Sequence, residues 1–168
     1  FPGDNQESVG HDEQVSSGWK ALIDRNPKLE KASTFHVNSS CFKGVVEGGC
    51  NHETLQCLEH TGNPVIDLKQ GTLLQGLVQK TKSLKHIQLQ SIRLTAGGVD
   101  QLAYGISHNH TLETLHLGWC SMEPTAAIPF LGSMMVNKKL LYLNLGSFMS
   151  NARITTTTPY HGSFGRTL

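Results

Sequence analysis

Residues 112–122, LETLHLGWCSM, contain the pattern that decides the fold of this chain. A similar stretch begins 28 residues earlier, LKHIQLQSIRL at 84–94, and another begins 28 residues later, LLYLNLGSFMS at 140–150. Each has aliphatic residues at its first, fourth and sixth positions: Leu84, Ile87, Leu89; Leu112, Leu115, Leu117; Leu140, Leu143, Leu145. A period of this length predicts a strand-and-helix unit stacked along the chain, with the leucines of neighbouring units buried together.

The segments between these strands have the periodicity of helices. Val99, Leu102, Ala103 and Ile106 follow the i, i+3, i+4, i+7 spacing of a buried helical stripe. The equivalent stripe one unit later is Ala127, Phe130, Leu131 and Met134, and an earlier helix carries Trp19, Leu22 and Ile23. Weaker strand copies begin at Leu29 and Leu55. Pro129 predicts either a kinked helix or one that begins near Ile128.

The spacing L-x-x-L-x-L-x-x-N/C-x-L, the 28-residue period and the intervening helix resemble leucine-rich repeats of the ribonuclease-inhibitor type. Similar repeats form the C-terminal region of NACHT-domain immune receptors (NLR proteins). The resemblance covers about residues 17–149 and implies an α/β solenoid, a right-handed βα superhelix with a concave parallel sheet and helices on its convex side. The ninth position of that family is Asn or Cys, as at Asn63 and Cys120, whereas Val37, Ile92 and Phe148 depart from it.

The repeat also divides the chain. We expect a flexible polar segment at 1–16, about five repeat strands within 17–149, and an irregular tail at 150–168. The first segment is acidic and precedes the first Lys or Arg of the chain, Lys20. Because the chain begins with Phe1 and neither end has a clear polar cap, we expect it to be part of a longer protein.

Composition excludes several classes of function. A net charge of +1, from 14 Lys and Arg against 13 Asp and Glu, indicates neither a nucleic-acid nor a membrane partner. No apolar run approaches the roughly 20 residues that a membrane-spanning helix needs. The cysteines at 41, 50, 57 and 120 form no metal-ligand signature, so we expect free thiols, a cytoplasmic location and no cofactor.

Alternate strand positions should face away from the leucine core and form a recognition surface. The third positions are Lys31, Cys57, His86, Thr114 and Tyr142, and the fifth are Ser33, Glu59, Gln88, His116 and Asn144. We predict that partner binding uses His86, Gln88, His116, Trp119, Tyr142, Asn144 and Glu59. Trp119 and Tyr142 are the expected aromatic anchors, although solvated sheet residues would follow the same pattern. Gly118 should let the chain leave the strand, and Cys120 should turn inward.

Two chemical hypotheses need weighing against this one. Cys57 and His86 should be neighbours on adjacent strands, with Glu59 and His116 nearby, and such groups can activate a thiol or bind zinc. Nothing in the sequence supplies an oxyanion hole, and a repeat places some residue at these positions regardless. The sequence 108–110, His-Asn-His, is predicted to be a polar turn and not a metal site.

The predicted function is therefore non-catalytic binding of a protein through the concave face. The family resemblance implies a scaffold or adaptor, or the sensor fragment of an NLR-type receptor. The alternative is a GTPase-activating module, since the activator of the Ran GTPase has similar repeats. Neither version is an enzyme in its own right, and neither requires a metal or cofactor.

Overall fold

The computed structural model of this protein describes residues 4–62, 65–122, 124–146 and 163–165. Within these ranges the chain forms five helices and nine strands. The helices are α1 (Asp4–Asp24), α2 (Ser39–Gly49), α3 (Leu68–Lys80), α4 (Ala96–Ser107) and α5 (Pro124–Val136). The strands are β1 (Lys31–Phe35), β2 (Cys57–Thr61), β3 (Val65–Ile66), β4 (His86–Gln90), β5 (Arg93–Leu94), β6 (Thr114–His116), β7 (Ser121–Met122), β8 (Tyr142–Asn144) and β9 (Ser163–Gly165).

The strands form two sheets. The larger has the order β1-β2-β4-β6-β8-β9, in which the first five strands are parallel and β9 is antiparallel to β8. The smaller is parallel and has the order β3-β5-β7. His86 pairs with Thr114, which pairs with Tyr142, and this is the register that the 28-residue period predicts.

The predicted leucine-rich-repeat solenoid of the ribonuclease-inhibitor type is nevertheless wrong as a fold class. The described residues form an α/β fold with eight strands in two small parallel sheets, five helices and one added antiparallel strand. The leucine spacing defines the period and the buried side of a strand, but it does not determine the remaining architecture. Each strand of the second sheet has only two residues and buries one of them at most, as at Ile66 and Leu94. Ile66, Leu94 and Met122 also recur at the 28-residue period, but a two-residue strand is too short for an alternating pattern to reveal it in the sequence.

The leucines form a buried core between the sheets and the helices. Leu89 and Leu117 are fully buried at the sixth position of their strands, whereas Leu145 is half-buried at the end of the array. The predicted α4 stripe is buried throughout. Its counterpart in α5 is buried at Phe130, but Leu131 is exposed, because no sixth helix packs against α5 within the described residues.

One side chain closes each of the four bridges that lead from α2, α3, α4 and α5 to the next strand of the large sheet. Asn109 Oδ1 accepts hydrogen bonds from the N–H groups of Thr111 (2.9 Å) and Leu112 (2.6 Å), and its Nδ2 donates to the carbonyl of Val78 in the preceding unit. Equivalent acceptors stand at three other bridges: His52, Thr81 and Asn137. Asn109 is thus a buried structural residue, as the polar-turn interpretation of 108–110 requires.

The first helix occupies most of the segment in which a flexible polar stretch was expected. α1 runs without interruption from Asp4 to Asp24 and packs against α2, with Ser16 and Ile23 buried. A Cβ atom on Gly44 would lie 2.2 Å from the Ser16 carbonyl oxygen, so the absence of a side chain at Gly44 permits this close helix pair. Packing on α2 stabilises a helix that the acidic composition alone does not predict.

Two further expectations concern the end of the chain. α5 begins at Pro124 and contains Pro129 in its interior, so the alternative in which proline occupies the first turn of a helix starting near Ile128 is wrong. Apart from β9, the predicted tail at 150–168 lies outside the described residues. No helix of the described chain is both long enough and apolar enough to span a membrane.

Candidate functional site

The large sheet presents one row of side chains for each outward strand position, and we call this surface the sheet face. Its members are Lys31, Ser33 and Phe35 of β1; Cys57, Glu59 and Thr61 of β2; His86, Gln88 and Gln90 of β4; Thr114 and His116 of β6; and Tyr142 and Asn144 of β8. Parallel pairing aligns them in the predicted rows, so Cys57 pairs with His86 and Glu59 with Gln88. The sheet face therefore brings together all the predicted binding residues except Trp119, which lies just beyond β6.

Glu59 is the centre of a polar network at the β1 side of the sheet face. Its Oε1 lies 2.6 Å from Lys31 Nζ, and its Oε2 accepts a hydrogen bond from Ser33 Oγ at 2.9 Å. Cys57 Sγ lies 3.8 Å from Glu59 Oε1. The hydrogen bond from Lys31 is the main reason that the pKa of Glu59 is lowered, although partial burial opposes the shift. Glu59 is therefore ionised and held in position by its neighbours.

The same network argues against an activated thiol at Cys57. Partial burial raises the pKa of Cys57, and the negative charge of Glu59 raises it further. A nucleophilic thiol needs the opposite shift, so the pairing of Cys57 with His86 does not produce a reactive dyad. Within the described part of the chain, no group of three or more His, Cys, Asp or Glu side chains could hold a metal ion. The nucleophile and zinc hypotheses therefore receive no support from the structure.

His116 lies near the centre of the sheet face. Its Nε2 lies 3.5 Å from Gln90 Nε2, and partial burial lowers the pKa of His116. A Cβ atom on Gly118 would lie 2.5 Å from His116 Nε2, so a larger residue at 118 would require the half-buried imidazole to move. Gly118 therefore leaves room for this position of the His116 ring.

The eighth position of the strand copies that begin at 29, 55, 84 and 112 adopts a positive φ angle, and we call these four positions the turn row. The angles are 50° at His36, 145° at Gly62, 54° at Ser91 and 61° at Trp119. The N–H of each residue donates to the carbonyl of a residue in the next unit, as Trp119 does to Gly146 at 2.9 Å. Gly118 lies in the turn by which the chain leaves the strand, as predicted, but the left-handed conformation is adopted by Trp119.

Trp119 combines this unusual backbone with a large exposed ring. Its side chain is 72% exposed, and a non-glycine residue with a positive φ angle is uncommon and costs conformational energy. The next residue, Cys120, is buried as predicted and donates to the carbonyl of Leu89 at 3.3 Å. Burial raises the pKa of the Cys120 thiol to about 11. The turn therefore holds a core thiol and a solvent-facing indole side by side.

The other predicted binding residues differ in their availability. Tyr142 is 40% exposed and His86 is exposed, while Gln88 and Asn144 are half-buried. Asn144 Oδ1 accepts a hydrogen bond from the N–H of Gly146 at 2.8 Å, so part of its polar surface stabilises the turn that also accepts from Trp119. The two aromatic anchors lie at opposite ends of their strands, with polar residues between them.

The sequence analysis missed one aromatic residue of this surface. Phe35 ends β1 on the same side of the sheet as Lys31 and Ser33, and it is 64% exposed. The alternation that selected the third and fifth positions also selects the seventh, which Phe35 occupies. Thr61 and Gln90 occupy the same seventh position in the next two strand copies, so the alternation alone predicts this third row of outward side chains.

The comparisons with known proteins identify similar folds. No family model and no curated protein matches this sequence. A structure of leiomodin-1 described as its actin-binding site 2 (ABS2) matches with a TM-score of 0.63 and 12% identity, covering 76% of this chain and 76% of that chain. The C-terminal domain of tropomodulin from Caenorhabditis elegans matches with a TM-score of 0.58 and 12% identity, covering 81% of this chain and 84% of that chain. At this identity the likeness establishes the fold alone.

These findings correct the family assignment. The structural neighbours are tropomodulin and leiomodin domains, and no family model supports ribonuclease-inhibitor-like repeats or a relationship to NLR receptors. Leucine spacing misled the assignment because any stacked strand-and-helix unit needs aliphatic residues at those positions. Neither neighbour supports the GTPase-activating alternative. The actin-binding activity in the description of leiomodin-1 is a property of that protein.

Proposed function

We propose that this chain is a protein-binding domain, that its partner is actin, and that the sheet face together with Trp119 makes the contact. The proposed partner rests on the shared fold with leiomodin-1 actin-binding site 2. The proposed surface rests on side chains of mixed polarity with little net charge, in which Lys31 and Glu59 neutralise each other. Such a surface fits a protein partner better than a nucleic acid or a membrane. A cytoplasmic location follows if actin is the partner.

The conformation of Trp119 is the observation that carries the proposal. Glycine would adopt its φ angle of 61° at no steric cost, yet the chain places a 72% exposed indole there. Backbone hydrogen bonds hold the turn on both sides, from Ser91 N–H to the Gly118 carbonyl and from Trp119 N–H to the Gly146 carbonyl. Tryptophan is among the residues that most often dominate the binding energy of an interface. A held, solvent-facing tryptophan is therefore best explained as a contact residue.

The test is a binding measurement with purified monomeric and filamentous actin. Trp119→Asn removes the ring but keeps a residue that tolerates a positive φ angle, so the turn should survive. Loss of a central aromatic contact costs about 2 kcal/mol, which corresponds to an affinity about 30-fold weaker. Tyr104→Ala is the matched control, because Tyr104 is a 51% exposed aromatic residue on α4.

The outcomes separate the partner from the surface. Binding that is weakened by Trp119→Asn and unchanged by Tyr104→Ala supports both parts of the proposal. Binding that is unchanged by Trp119→Asn refutes the surface, and absence of binding to either form of actin refutes the partner. Circular dichroism of each variant confirms that the fold is retained.

A further inference from the structure

A groove lies at the free edge of the large sheet, between α1 and β1, and Lys31 and Ser33 of the sheet face form part of its rim. Its volume is about 320 Å³. Apolar side chains of α1 form one wall, with Trp19 half-buried and Leu22 54% exposed. Ala32 of β1 and the preceding residue Leu29 form the other wall. This groove is thus an apolar trough that runs beside an edge strand.

The backbone of β1 has unused hydrogen-bonding groups beside the groove. The Glu30 carbonyl accepts from Cys57 N–H at one end of β1, and His36 N–H donates to the Thr61 carbonyl at the other. Because alternate residues of a parallel strand bond to the same neighbour, Ala32 and Thr34 also bond toward β2. The N–H and C=O groups of Lys31, Ser33 and Phe35 therefore point away from β2, and no described strand pairs with them.

The usual protection of an edge strand is weak here. An exposed lysine on an edge strand commonly discourages pairing with another chain. Lys31 is the charged residue of β1, but its ammonium group lies 2.6 Å from Glu59 on the sheet face. The positive charge of Lys31 therefore lies toward β2 and away from the free edge of β1. An approaching strand would meet backbone donors and acceptors above an apolar trough.

We propose that an extended segment of a partner protein adds to β1 as a further strand, with aliphatic side chains at alternate positions filling the groove. The chemistry of this occupant follows from the sheet itself. Within the array each parallel strand bonds to its neighbour through the backbone and buries aliphatic residues against the helices, as do Leu115 in β6 and Leu117 just after it. The groove leaves space for one more strand of the same kind beside β1. Addition of a strand to a sheet edge is a general mode of peptide recognition.

The test uses a fluorescently labelled peptide with the sequence LETLHLG, which reproduces residues 112–118. Fluorescence anisotropy with the full chain should show saturable binding. Ser33→Pro should weaken it at least about tenfold, because proline removes an outward N–H without removing a bond to β2. Ser33→Ala is the matched control, since it loses the hydroxyl contact to Glu59 but keeps the N–H. Leu22→Glu changes the groove wall at an exposed position and should also weaken binding about tenfold.

Each result decides the proposal independently of actin binding. Weaker binding in Ser33→Pro and Leu22→Glu, with Ser33→Ala unchanged, supports strand addition. Absence of saturable binding overturns it, as does binding that both variants leave intact. If Ser33→Pro fails to fold by circular dichroism, Leu22→Glu alone decides. A wild-type dimer detected by light scattering, absent in Leu22→Glu, would overturn the proposal because a second copy would occupy the edge.

Discussion

Acidification should destabilise this fold through His60. The side chain of His60 is fully buried in β2, at the strand position that holds Leu89 and Leu117 in later units. Its Nδ1 lies 2.7 Å from Thr34 Oγ1, and its ring centroid lies 4.7 Å from that of Phe42. Within the described residues, Nε2 of His60 has no hydrogen-bond partner. Protonation of Nε2 would therefore bury a positive charge, and the new N–H group would have no hydrogen-bond acceptor.

The size of the effect follows from proton linkage. Burial, together with the neighbouring His36, lowers the pKa of His60 from 6.5 to about 4. The unfolded chain therefore binds a proton at a higher pH than the folded chain, so stability is full above about pH 7 and falls as the pH drops from 6.5 toward 4. Between about pH 8 and pH 4.5, this single group should lower the free energy of unfolding by about 2.5 kcal/mol.

The measurement is urea denaturation followed by circular dichroism at about pH 8 and about pH 4.5. His60→Leu is the informative variant, because leucine occupies the equivalent position at Leu89 and Leu117 and cannot titrate. Other groups titrate in both proteins, so the quantity of interest is the difference between their pH dependences. His60→Leu should lose about 2.5 kcal/mol less than the wild type on acidification.

Equal pH dependences of the wild type and His60→Leu would refute this reasoning. A chemical shift titration that gives His60 an ordinary pKa near 6.5 would also refute it, because such a group shows no net burial penalty. Thr34→Val serves as the control for the hydrogen bond, since it removes the Thr34 hydroxyl and leaves the titrating group in place.

The other predictions concern packing and thiol reactivity. Leu117→Ala should lose about 2–5 kcal/mol in thermal unfolding, as large-to-small core substitutions do, whereas Leu141→Ala at a 63% exposed position should change stability by less than about 0.5 kcal/mol. Gly98→Ala should destabilise the fold strongly in the same assay, because its Cβ would lie 2.2 Å from a backbone oxygen. Gly76→Ala, with nothing within 4 Å, should instead stabilise α3 by about 0.5–1 kcal/mol. Alkylation of Cys57 at neutral pH should be slower than that of an unhindered free thiol, and a rate equal to it would show that the pKa of Cys57 is not raised.

The sequence predicted the repeating part of the fold well. The spacing of Leu84, Leu112 and Leu140 set the register in which β4, β6 and β8 pair, because in-register stacking is the arrangement that buries equivalent leucines together. Burial was predicted less well at the end of the array. Leu131 of α5 occupies the position equivalent to buried Ala103 of α4, but it is exposed. Burial at this position depends on a neighbouring helix and not on the residue itself.

The sequence predicted which residues share the sheet face, but it did not predict the backbone conformation next to it. The period-2 alternation placed Glu59 and His116 on one face, and the structure agrees. No local signal marked the positive φ angle at Trp119, because tryptophan rarely adopts it and the adjacent Gly118 is the obvious alternative. A leucine pattern could not identify a family, because it reports the physical requirement for burial and is shared by unrelated stacked folds.

The side chains that close the bridges have a consequence for how this molecule can change in evolution. Asn109 and Asn137 each join two N–H groups of their own bridge to carbonyl oxygens one unit upstream. An insertion or deletion of a single residue in a bridge would break both sets of contacts at once. Gain or loss of an entire strand–helix module would preserve them. Lineages related to this chain should therefore differ in length by whole modules, with indels between modules rare and costly.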